Sequence, residues 1–203
     1  MKLLLISDEE EKALWDYYSP GRLEGVDLIL SAGDLKAEYL SFLVTMANKP
    51  LLYVPGNHDV SYETKPPEGC ENIDGKLVKV NGLRILGLGG SYLYNRGPNQ
   101  YTDRQMRRRI RKLWLKLKLA GGVDIVLTHA PVEGLGDLDT PAHRGFHSFR
   151  ELIDRWHPRY LVHGHVHQRY AARQERIHEY GGTTIINACG RYLLEISEID
   201  DTP

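Results

Sequence analysis

The feature that most constrains this chain is a short polar cluster that recurs directly after short apolar runs. In the clearest case the apolar residues 51–54 are followed, after one proline, by Gly56, Asn57, His58 and Asp59. An apolar run that stops at a Gly-Asn pair predicts a buried strand ending in a turn. Similar clusters occur at four other places: Ser7-Asp8-Glu9-Glu10, Gly33-Asp34, Thr128-His129 and Gly164-His165-Val166-His167. The recurrence indicates that several strand ends carry polar side chains for one purpose.

The order of the predicted elements favours a parallel α/β arrangement. Strands predicted at 2–6, 26–30 and 51–54 alternate with helices at 11–18 and 36–48, which is typical of βαβ units. The remaining predicted elements are a loop at 61–74, a hairpin of strands 76–80 and 83–88, strands at 123–127, 160–162, 183–186 and 192–196, and helices at 102–119 and 148–155. No repeat or linker divides the sequence, so we interpret residues 1–203 as one domain.

The composition is typical of a globular protein. Of the 203 residues, 41% are apolar and 26% are charged, and the net charge is −1. A nearly neutral chain gives no electrostatic indication of binding to nucleic acid or to membrane surfaces. The oligomeric state is left open by the sequence.

The cysteine content and the absence of long apolar runs predict a cytoplasmic location. Cys70 and Cys189 are too few for a disulfide framework and fit a reducing compartment, and we interpret both as inert. The apolar residues 3–6 are too few for a signal-peptide core. No run approaches the roughly 18 apolar residues that a membrane span needs.

The polar clusters contain side chains that bind divalent metal ions. Open α/β sheets place their sites beyond the carboxyl ends of strands, where these clusters lie. Asp8 and Glu10 are two residues apart, as are His165 and His167, so in extended chain each pair points the same way, roughly 7 Å apart. That separation suits ligands flanking two ions about 3.5–4 Å apart, which Asp34 could bridge. Oxygen and imidazole ligands suit Mn²⁺, Fe or Zn²⁺ better than copper.

Taken in order, the five clusters resemble the signature of the calcineurin-like metallophosphoesterases. The matching series is Asp8-x-Glu10, Gly33-Asp34, Gly56-Asn57-His58-Asp59, Thr128-His129 and Gly164-His165-x-His167, which extends over most of the chain. The order and spacing of all five make the resemblance specific, although each cluster alone is weak. The resemblance implies an α/β fold of two mixed β-sheets packed as a sandwich and flanked by helices. The periodicity alone does not show the second sheet.

The resemblance also implies two divalent metal ions and an assignment of their ligands. One ion is expected at Asp8, Asp34, His167 and, as a further candidate, Glu10, and the other at Asp34, Asn57, His129 and His165. A hydroxide that bridges the ions would attack phosphorus, because the ions lower the pKa of water and neutralise phosphoryl charge. Manganese is the expected metal, and iron, zinc and nickel are also compatible with these ligands.

The resemblance implies catalytic rather than ligand roles for His58 and Asp59. His58 is expected to protonate the leaving alkoxide or to stabilise charge on the phosphate. Asp59 is expected either to orient His58 or to hold the turn.

The sequence departs from the family pattern at two points. The first motif is usually Asp-x-His, whereas position 10 is Glu. Glu10 replaces the imidazole as a ligand, or points away and leaves that position to water, or belongs to a weak first site; we favour the first interpretation. The Asp-Arg-Gly that supplies a phosphate-binding arginine in protein Ser/Thr phosphatases does not follow Asp34, which argues against that branch.

Two sets of basic residues have alternative interpretations. His143 and Arg144 lie in the loop between the strands that end at His129 and His165, so they are candidates for binding the substrate phosphate. The alternative interpretation is that both simply belong to a solvent-exposed loop. The basic run 107–109 suggests a nucleic-acid-binding surface. The apolar stripe on the same predicted helix instead favours the interpretation that these arginines form the solvent-exposed face of an amphipathic helix.

The sequence therefore predicts a metal-dependent phosphoester hydrolase, a small phosphodiesterase or phosphatase acting on a small phosphoester. The enzymatic alternative is a nuclease or a cyclic-nucleotide phosphodiesterase. The alternative from another class is a non-catalytic scaffold on the same fold, which the altered first motif keeps open and the intact His58 disfavours.

Overall fold

The computed structural model describes residues 1–167 and 175–197. The strands in these residues are β1 (Lys2–Ser7), β2 (Leu28–Ser31), β3 (Leu51–Tyr53), β4 (Glu71–Asn72), β5 (Leu77–Val80), β6 (Leu83–Leu88), β7 (Ser91–Tyr92), β8 (Gln100–Tyr101), β9 (Ile125–Thr128), β10 (Tyr160–His163), β11 (Ile177–Tyr180), β12 (Thr183–Asn187) and β13 (Gly190–Glu195). The α-helices are α1 (Ala37–Ala47), α2 (Asp103–Leu119) and α3 (His147–Trp156).

Two large mixed sheets form the framework. The first has the strand order β13-β1-β2-β3-β4, in which β13 is antiparallel to β1 and the others run parallel. The second has the order β11-β12-β10-β9-β6-β5, with a parallel centre and antiparallel edges at β11 and β5. The predicted fold class, with its two mixed sheets, is confirmed.

The alternation of side chains along each central strand explains why the sheets pack face to face. In β1, Leu3 and Leu5 lie in the core between the sheets, where they join Ile125 of the second sheet. Leu4 and Ile6 point to the opposite face and lie in the core beneath α1. Because both faces of these strands are buried, their sequences are continuously apolar rather than alternating.

The outer face of the second sheet is covered by α2 and α3. Met106 and Leu117 of α2 lie in one apolar core with Phe149 of α3. Thr102 caps α2 through a capping box with Gln105, so the predicted cap is confirmed. None of the helices in the described residues is long and apolar enough to cross a lipid bilayer.

Some predicted elements differ from the structure. The helix predicted over 11–18 is only a 3₁₀ turn, Lys12–Leu14, and the predicted loop 61–74 contains the end of a second 3₁₀ turn, Asp59–Glu63, and the strand β4. The strand β11 was not predicted, because its side chains alternate between exposed and half-buried and lack an apolar run. The elements that end at the polar clusters, β1, β2, β3, β9 and β10, were all predicted.

Candidate metal centre

The polar clusters meet because the chain turns sharply where the strands end. Asp8, Asp34 and His165 have φ angles of +62°, +56° and +68°, a left-handed conformation that non-glycine residues seldom adopt. The backbone N–H of Asp8 donates to the Gly33 carbonyl at 3.1 Å, and the N–H of Gly164 donates to the His129 carbonyl at 3.0 Å. Neighbouring strand ends are thereby tied together, and residues in strained conformations often mark functional sites.

Gly56 is required by the close approach of two loops. A Cβ atom at Gly56 would lie 2.0 Å from Asp34 Oδ1 and 2.7 Å from His129 Cε1. A Cβ atom at Gly33 would lie 2.4 Å from the Gly56 nitrogen. Side chains at these positions would therefore occupy the space that brings Asp34 and His129 together.

Asp59 joins the same two loops by hydrogen bonds. Its Oδ2 atom accepts from the backbone N–H of Asp34 at 2.7 Å and from that of Gly56 at 2.8 Å. Burial raises the pKa of the Asp59 carboxyl to about 6, although the hydrogen bond from Gly56 favours the ionised form. Of the two roles expected for Asp59, these contacts are those of a residue that holds the turn.

Donor atoms from separate loops converge on one point beside His129. The Nε2 atom of His129 lies 3.0 Å from His165 Nδ1, 3.1 Å from Asn57 Oδ1 and 3.3 Å from Asp34 Oδ2. His129 is fully buried, and Asn57 and His165 are nearly so. This cluster contains the full ligand set that the sequence predicts for one of the two ions.

The outer ring nitrogens of both histidines determine which atoms face inward. His129 Nδ1 lies 2.8 Å from the Ala32 carbonyl oxygen, and His165 Nε2 lies 2.6 Å from that of Ala142. A carbonyl oxygen only accepts hydrogen bonds, so these nitrogens carry the protons and the inward nitrogens of the neutral rings carry lone pairs. When both rings are neutral, the lone pairs of two imidazoles, an amide and a carboxylate face one another. Their repulsion is relieved either by a proton on one ring or by a metal cation between them. The donor set therefore fits a divalent metal ion.

The pKa shifts show the electrostatic field of this cluster. Burial alone would raise the pKa of the Asp34 carboxyl, but the charge and hydrogen bond of His129 hold it below its usual range. Burial alone would lower the pKa of His129, but the charge of Asp34 raises it to about 9. Burial and the charge of His129 lower the pKa of His165 to about 3. Without metal, the cluster thus retains one proton, which a divalent cation would displace.

Asp8 lies next to this cluster. Its carboxylate accepts from the backbone N–H of His165, with distances of 2.9 Å to Oδ2 and 3.1 Å to Oδ1. Burial raises the pKa of Asp8, and the nearby charges of His129 and His167 oppose that rise. The Asp8 carboxylate therefore lies within the electrostatic field of both of these histidines.

His58 is exposed beside the buried donors. Its backbone N–H donates to Asp34 Oδ1 at 2.9 Å, which fixes the start of its side chain at the rim of the cluster. Neighbouring Asn57 donates from Nδ2 to the Tyr94 hydroxyl at 3.3 Å, and this turns Asn57 Oδ1 toward His129. The sequence leaves open whether Tyr94 lines a pocket or packs its loop, and in the structure its hydroxyl contacts Asn57.

The sequence predicts extended chain at residues 8–10 and 165–167, so that both outer side chains of each segment would point the same way. That prediction is wrong. Because Asp8 and His165 have positive φ angles, residues two apart do not point the same way. His165 faces His129, whereas His167 Nδ1 lies 3.3 Å from Glu9 Oε1. Glu10 accepts from the Lys36 N–H at 3.4 Å and pairs with Lys36 Nζ at 3.5 Å. Glu10 as a metal ligand stays a prediction.

The candidate substrate residues lie at different positions relative to the cluster. The His143 ring lies 5.4 Å from the His165 ring, centroid to centroid, and burial lowers the His143 pKa. The Arg144 guanidinium pairs with Glu133 at 3.0 Å and lies 5.1 Å from the Tyr92 ring centre. His143 therefore borders the site directly, and Arg144 is held beside it by Glu133.

Two arginines of the basic run in α2 form ion pairs with carboxylates of the same chain. Arg107 makes paired hydrogen bonds to Glu151, both at 2.8 Å, and Arg109 makes paired bonds to Asp74 at 2.5 and 2.6 Å. These contacts favour the interpretation of this run as a structural helix face over a nucleic-acid surface. His163, the last residue of β10, is fully buried.

Comparison with known families identifies the family of this chain. A sequence model described as calcineurin-like phosphoesterase matches residues 6–169. The chain belongs to the calcineurin-like phosphoesterase family. The resemblance inferred from the five clusters is therefore confirmed, and members of this family typically bind divalent metals.

Two relatives have sequence similarity to this phosphoesterase-family chain. The uncharacterized protein MJ1162 of Methanocaldococcus jannaschii is 28% identical over 146 residues, covering 68% of this chain and 62% of the relative. This chain thus spans less than two thirds of the length of that relative. The UPF0046 protein K07C11.7 of Caenorhabditis elegans is 26% identical over 214 residues, covering 93% of this chain and 69% of the relative.

Solved structures with low sequence identity share the fold. The protein TT1561 of Thermus thermophilus has a TM-score of 0.64 at 17% identity, covering 93% of this chain and 89% of that one. A putative 5′-nucleotidase from Staphylococcus aureus, solved in complex with alpha-ketoglutarate, has a TM-score of 0.58 at 13% identity, covering 97% of this chain and 51% of that one. At such identities the likeness supports the fold alone.

Proposed function

We propose that this phosphoesterase-family chain is a metal-dependent hydrolase of small phosphoesters. The observation that carries the proposal is the convergence of His129 Nε2, His165 Nδ1 and Asn57 Oδ1 beside Asp34, with both imidazoles oriented by backbone carbonyls. The proposed metal ligands are Asp8, Asp34, Asn57, His129, His165 and His167, for a pair of divalent ions. Bound ions would supply an acidified water molecule and neutralise charge on the phosphoryl oxygens.

The proposed contribution of the protein to catalysis is to position the metal ligands before the reaction. Asp34 follows β2, which lies between β1 and β3 in the first sheet, so we propose Asp34 as the residue that serves both cations. The carbonyls of Ala32 and Ala142 hold the imidazoles in one tautomer, and Asp59 fixes the distance between the Asp34 and Gly56 loops. Such pre-orientation reduces the reorganisation needed during reaction.

His58 is the proposed proton donor to the leaving oxygen. It is exposed to an incoming substrate, while its backbone is held by Asp34. An imidazole at such a position can donate a proton to the leaving oxygen as the bond to phosphorus breaks. His143, whose ring lies beside that of His165, is the proposed contact to the substrate phosphate, and Arg144, which is paired with Glu133, is the second candidate.

The direct test is Mn²⁺-stimulated hydrolysis of bis-p-nitrophenyl phosphate, p-nitrophenyl phosphate and a panel of nucleoside mono- and diesters. We expect turnover that a chelator abolishes and that His58→Ala lowers by about 10²–10⁴-fold, the usual contribution of a positioned acid. His157→Asn is the matched control, because His157 is an exposed histidine at the end of α3 with a left-handed φ that asparagine tolerates.

Several outcomes would overturn the proposal. Turnover of linear DNA or RNA with little action on small esters would assign a nuclease instead. Binding of metal without turnover of any ester would assign a non-catalytic scaffold. Equal activity of His58→Ala and His157→Asn would remove His58 from the reaction.

A further inference from the structure

A second group of metal-binding side chains lies beside the centre already described. Glu9 follows β1, His167 follows the loop after β10, and Cys189 lies between β12 and β13. One ligand atom from each lies within 4.8 Å of the other two, and Cys189 is buried. These side chains are therefore close enough to bind one ion together.

The backbone holds these segments in place. Ser7 and Cys189 form a parallel bridge, which fixes the start of the first cluster against the β12–β13 connection. Asn187 donates from Nδ2 to the Val166 carbonyl at 2.8 Å and accepts from the Cys189 N–H at 2.9 Å. One buried asparagine thus ties the His167 loop to the cysteine, so the group is a built feature rather than a chance approach of surface side chains.

The neighbouring carboxylate of Glu10 is directed elsewhere. It pairs with Lys36, whereas Glu9 faces His167. The left-handed turn at Asp8 exchanges the directions of Glu9 and Glu10, compared with an extended chain. The first cluster therefore places Glu9, rather than Glu10, within 4.8 Å of His167 and Cys189.

We propose that Glu9, His167 and Cys189 hold the cation adjacent to Asp8, with a mixed oxygen, nitrogen and sulfur donor set. The proposal deepens the proposed function, on which it rests for the second cation. Tetrahedral zinc with bonds of about 2.0–2.3 Å separates its ligand atoms by roughly 3.5 Å, and Glu9 Oε1 and His167 Nδ1 already lie 3.3 Å apart.

The donor set determines which ion this position prefers. On binding, the Cys189 thiol gives up its proton to solvent and binds as the thiolate. Thiolate is a soft ligand, so the position selects Zn²⁺, Co²⁺ or Fe²⁺ over Mn²⁺ and Mg²⁺. The position formed by His129, His165 and Asn57 has no sulfur ligand, so the two positions would take different metals.

Cobalt spectroscopy tests this proposal without any turnover. The reduced full-length protein is titrated with Co²⁺, and we expect a thiolate-to-cobalt charge-transfer band in the near ultraviolet that Zn²⁺ removes. Cys189→Ser should lose the band, and Cys70→Ser, the matched control, should retain it. Absence of the band from the unaltered protein, or its presence in Cys189→Ser, would overturn the proposal.

Separate variants of Glu9 and Glu10 test which of the two carboxylates binds the metal ion. We expect Glu9→Gln to weaken Zn²⁺ binding by about tenfold or more, the effect of losing about 1.4 kcal/mol, and Glu10→Gln to leave it nearly unchanged. The reverse result would return the ligand role to Glu10. Loss of phosphoesterase activity with an intact cobalt band would contradict the proposed function alone, whereas an absent band with intact activity would contradict only this inference.

Discussion

The Oδ2 atom of Asp59 accepts a hydrogen bond from the backbone N–H of Asp34 at 2.7 Å. The same oxygen accepts from Gly56 N–H at 2.8 Å, so one carboxylate oxygen fixes the loops after β2 and β3 together. Asp34 and Asn57, on these two loops, both lie close to His129 Nε2. The separation of these two proposed metal ligands therefore depends on a residue that is not itself expected to bind metal.

Variants of Asp59 test this dependence. Asp59→Ala leaves two N–H groups without their acceptor, and we expect the free energy of unfolding to fall by about 1–3 kcal/mol for each group that water does not reach. Mn²⁺ affinity should fall with it. Asp59→Asn keeps an oxygen acceptor, so urea denaturation and calorimetric Mn²⁺ titration should both give values closer to the unaltered protein.

The same pair separates the two roles expected for Asp59. If Asp59→Asn binds Mn²⁺ normally but loses as much kcat as His58→Ala, Asp59 acts by orienting His58. Equal losses of metal affinity in both Asp59 variants would show that its charge, rather than its hydrogen bonds, matters.

The close approach at Gly56 gives a second prediction. In Gly56→Ala the new methyl would overlap Asp34 Oδ1, so we expect Mn²⁺ affinity to fall sharply, with a stability loss of about 1–3 kcal/mol from overpacking. Gly182→Ala is the matched control, because Gly182 has a φ of +81° in a turn where a Cβ atom would have no neighbour within 4 Å. It should cost about 1–2 kcal/mol of stability through backbone strain and leave metal binding intact. Equal metal affinity in both variants would contradict the steric account.

The sequence predicts those candidate ligands whose positions depend only on where a strand ends. Asp34, Asn57, His129 and His165 each follow an apolar run, and parallel strands bring such ends to one edge of the sheet. The structure gathers these side chains around His129 Nε2, in agreement with that reasoning.

The parts that could not be predicted depend on single backbone angles and on distant segments. The φ of +62° at Asp8 decides that Glu9, rather than Glu10, faces His167, and no residue pattern encodes that angle for an aspartate. Cys189 comes near through a bridge to Ser7, far earlier in the chain, and its neighbours gave no metal-type spacing. The second sheet was likewise known only from the family resemblance.

The different surroundings of His143 and Arg144 give a third prediction. His143 borders His165, whereas the Arg144 charge is paired with Glu133, so we expect His143→Ala to raise KM for a phosphomonoester more than Arg144→Ala does. Neither should change kcat greatly, because neither is proposed to bind a metal ion or to transfer a proton in the reaction. Steady-state kinetics on both variants test this, and a larger KM for Arg144→Ala would reverse the assignment.

The Arg84–Asp124 pair predicts a pH dependence of stability away from the metal centre. Burial alone would raise the pKa of Asp124, but the hydrogen bonds and charge of Arg84 hold it below the ordinary 3.8. Because the pKa is lowered in the folded state, this carboxylate stabilises the fold above pH 3.8, and the contribution is lost as pH falls through the folded pKa.

Asp124→Asn measures that contribution. We expect it to lower the free energy of unfolding at pH 7 by about 1.5–3 kcal/mol, the usual range for a hydrogen bond to a charged group. The difference from the unaltered protein should shrink as pH falls below 3.8. Denaturant titrations across this range test it, and a difference that is constant with pH would contradict the assignment.

Anomalous diffraction at the manganese edge, from crystals grown with Mn²⁺, tests the central claim most directly. We predict a peak within bonding distance of His129 Nε2, His165 Nδ1 and Asn57 Oδ1, with Asp34 also bound. A well-ordered crystal with no peak there, or with manganese bound only elsewhere, would contradict the assignment of this cluster as a metal centre.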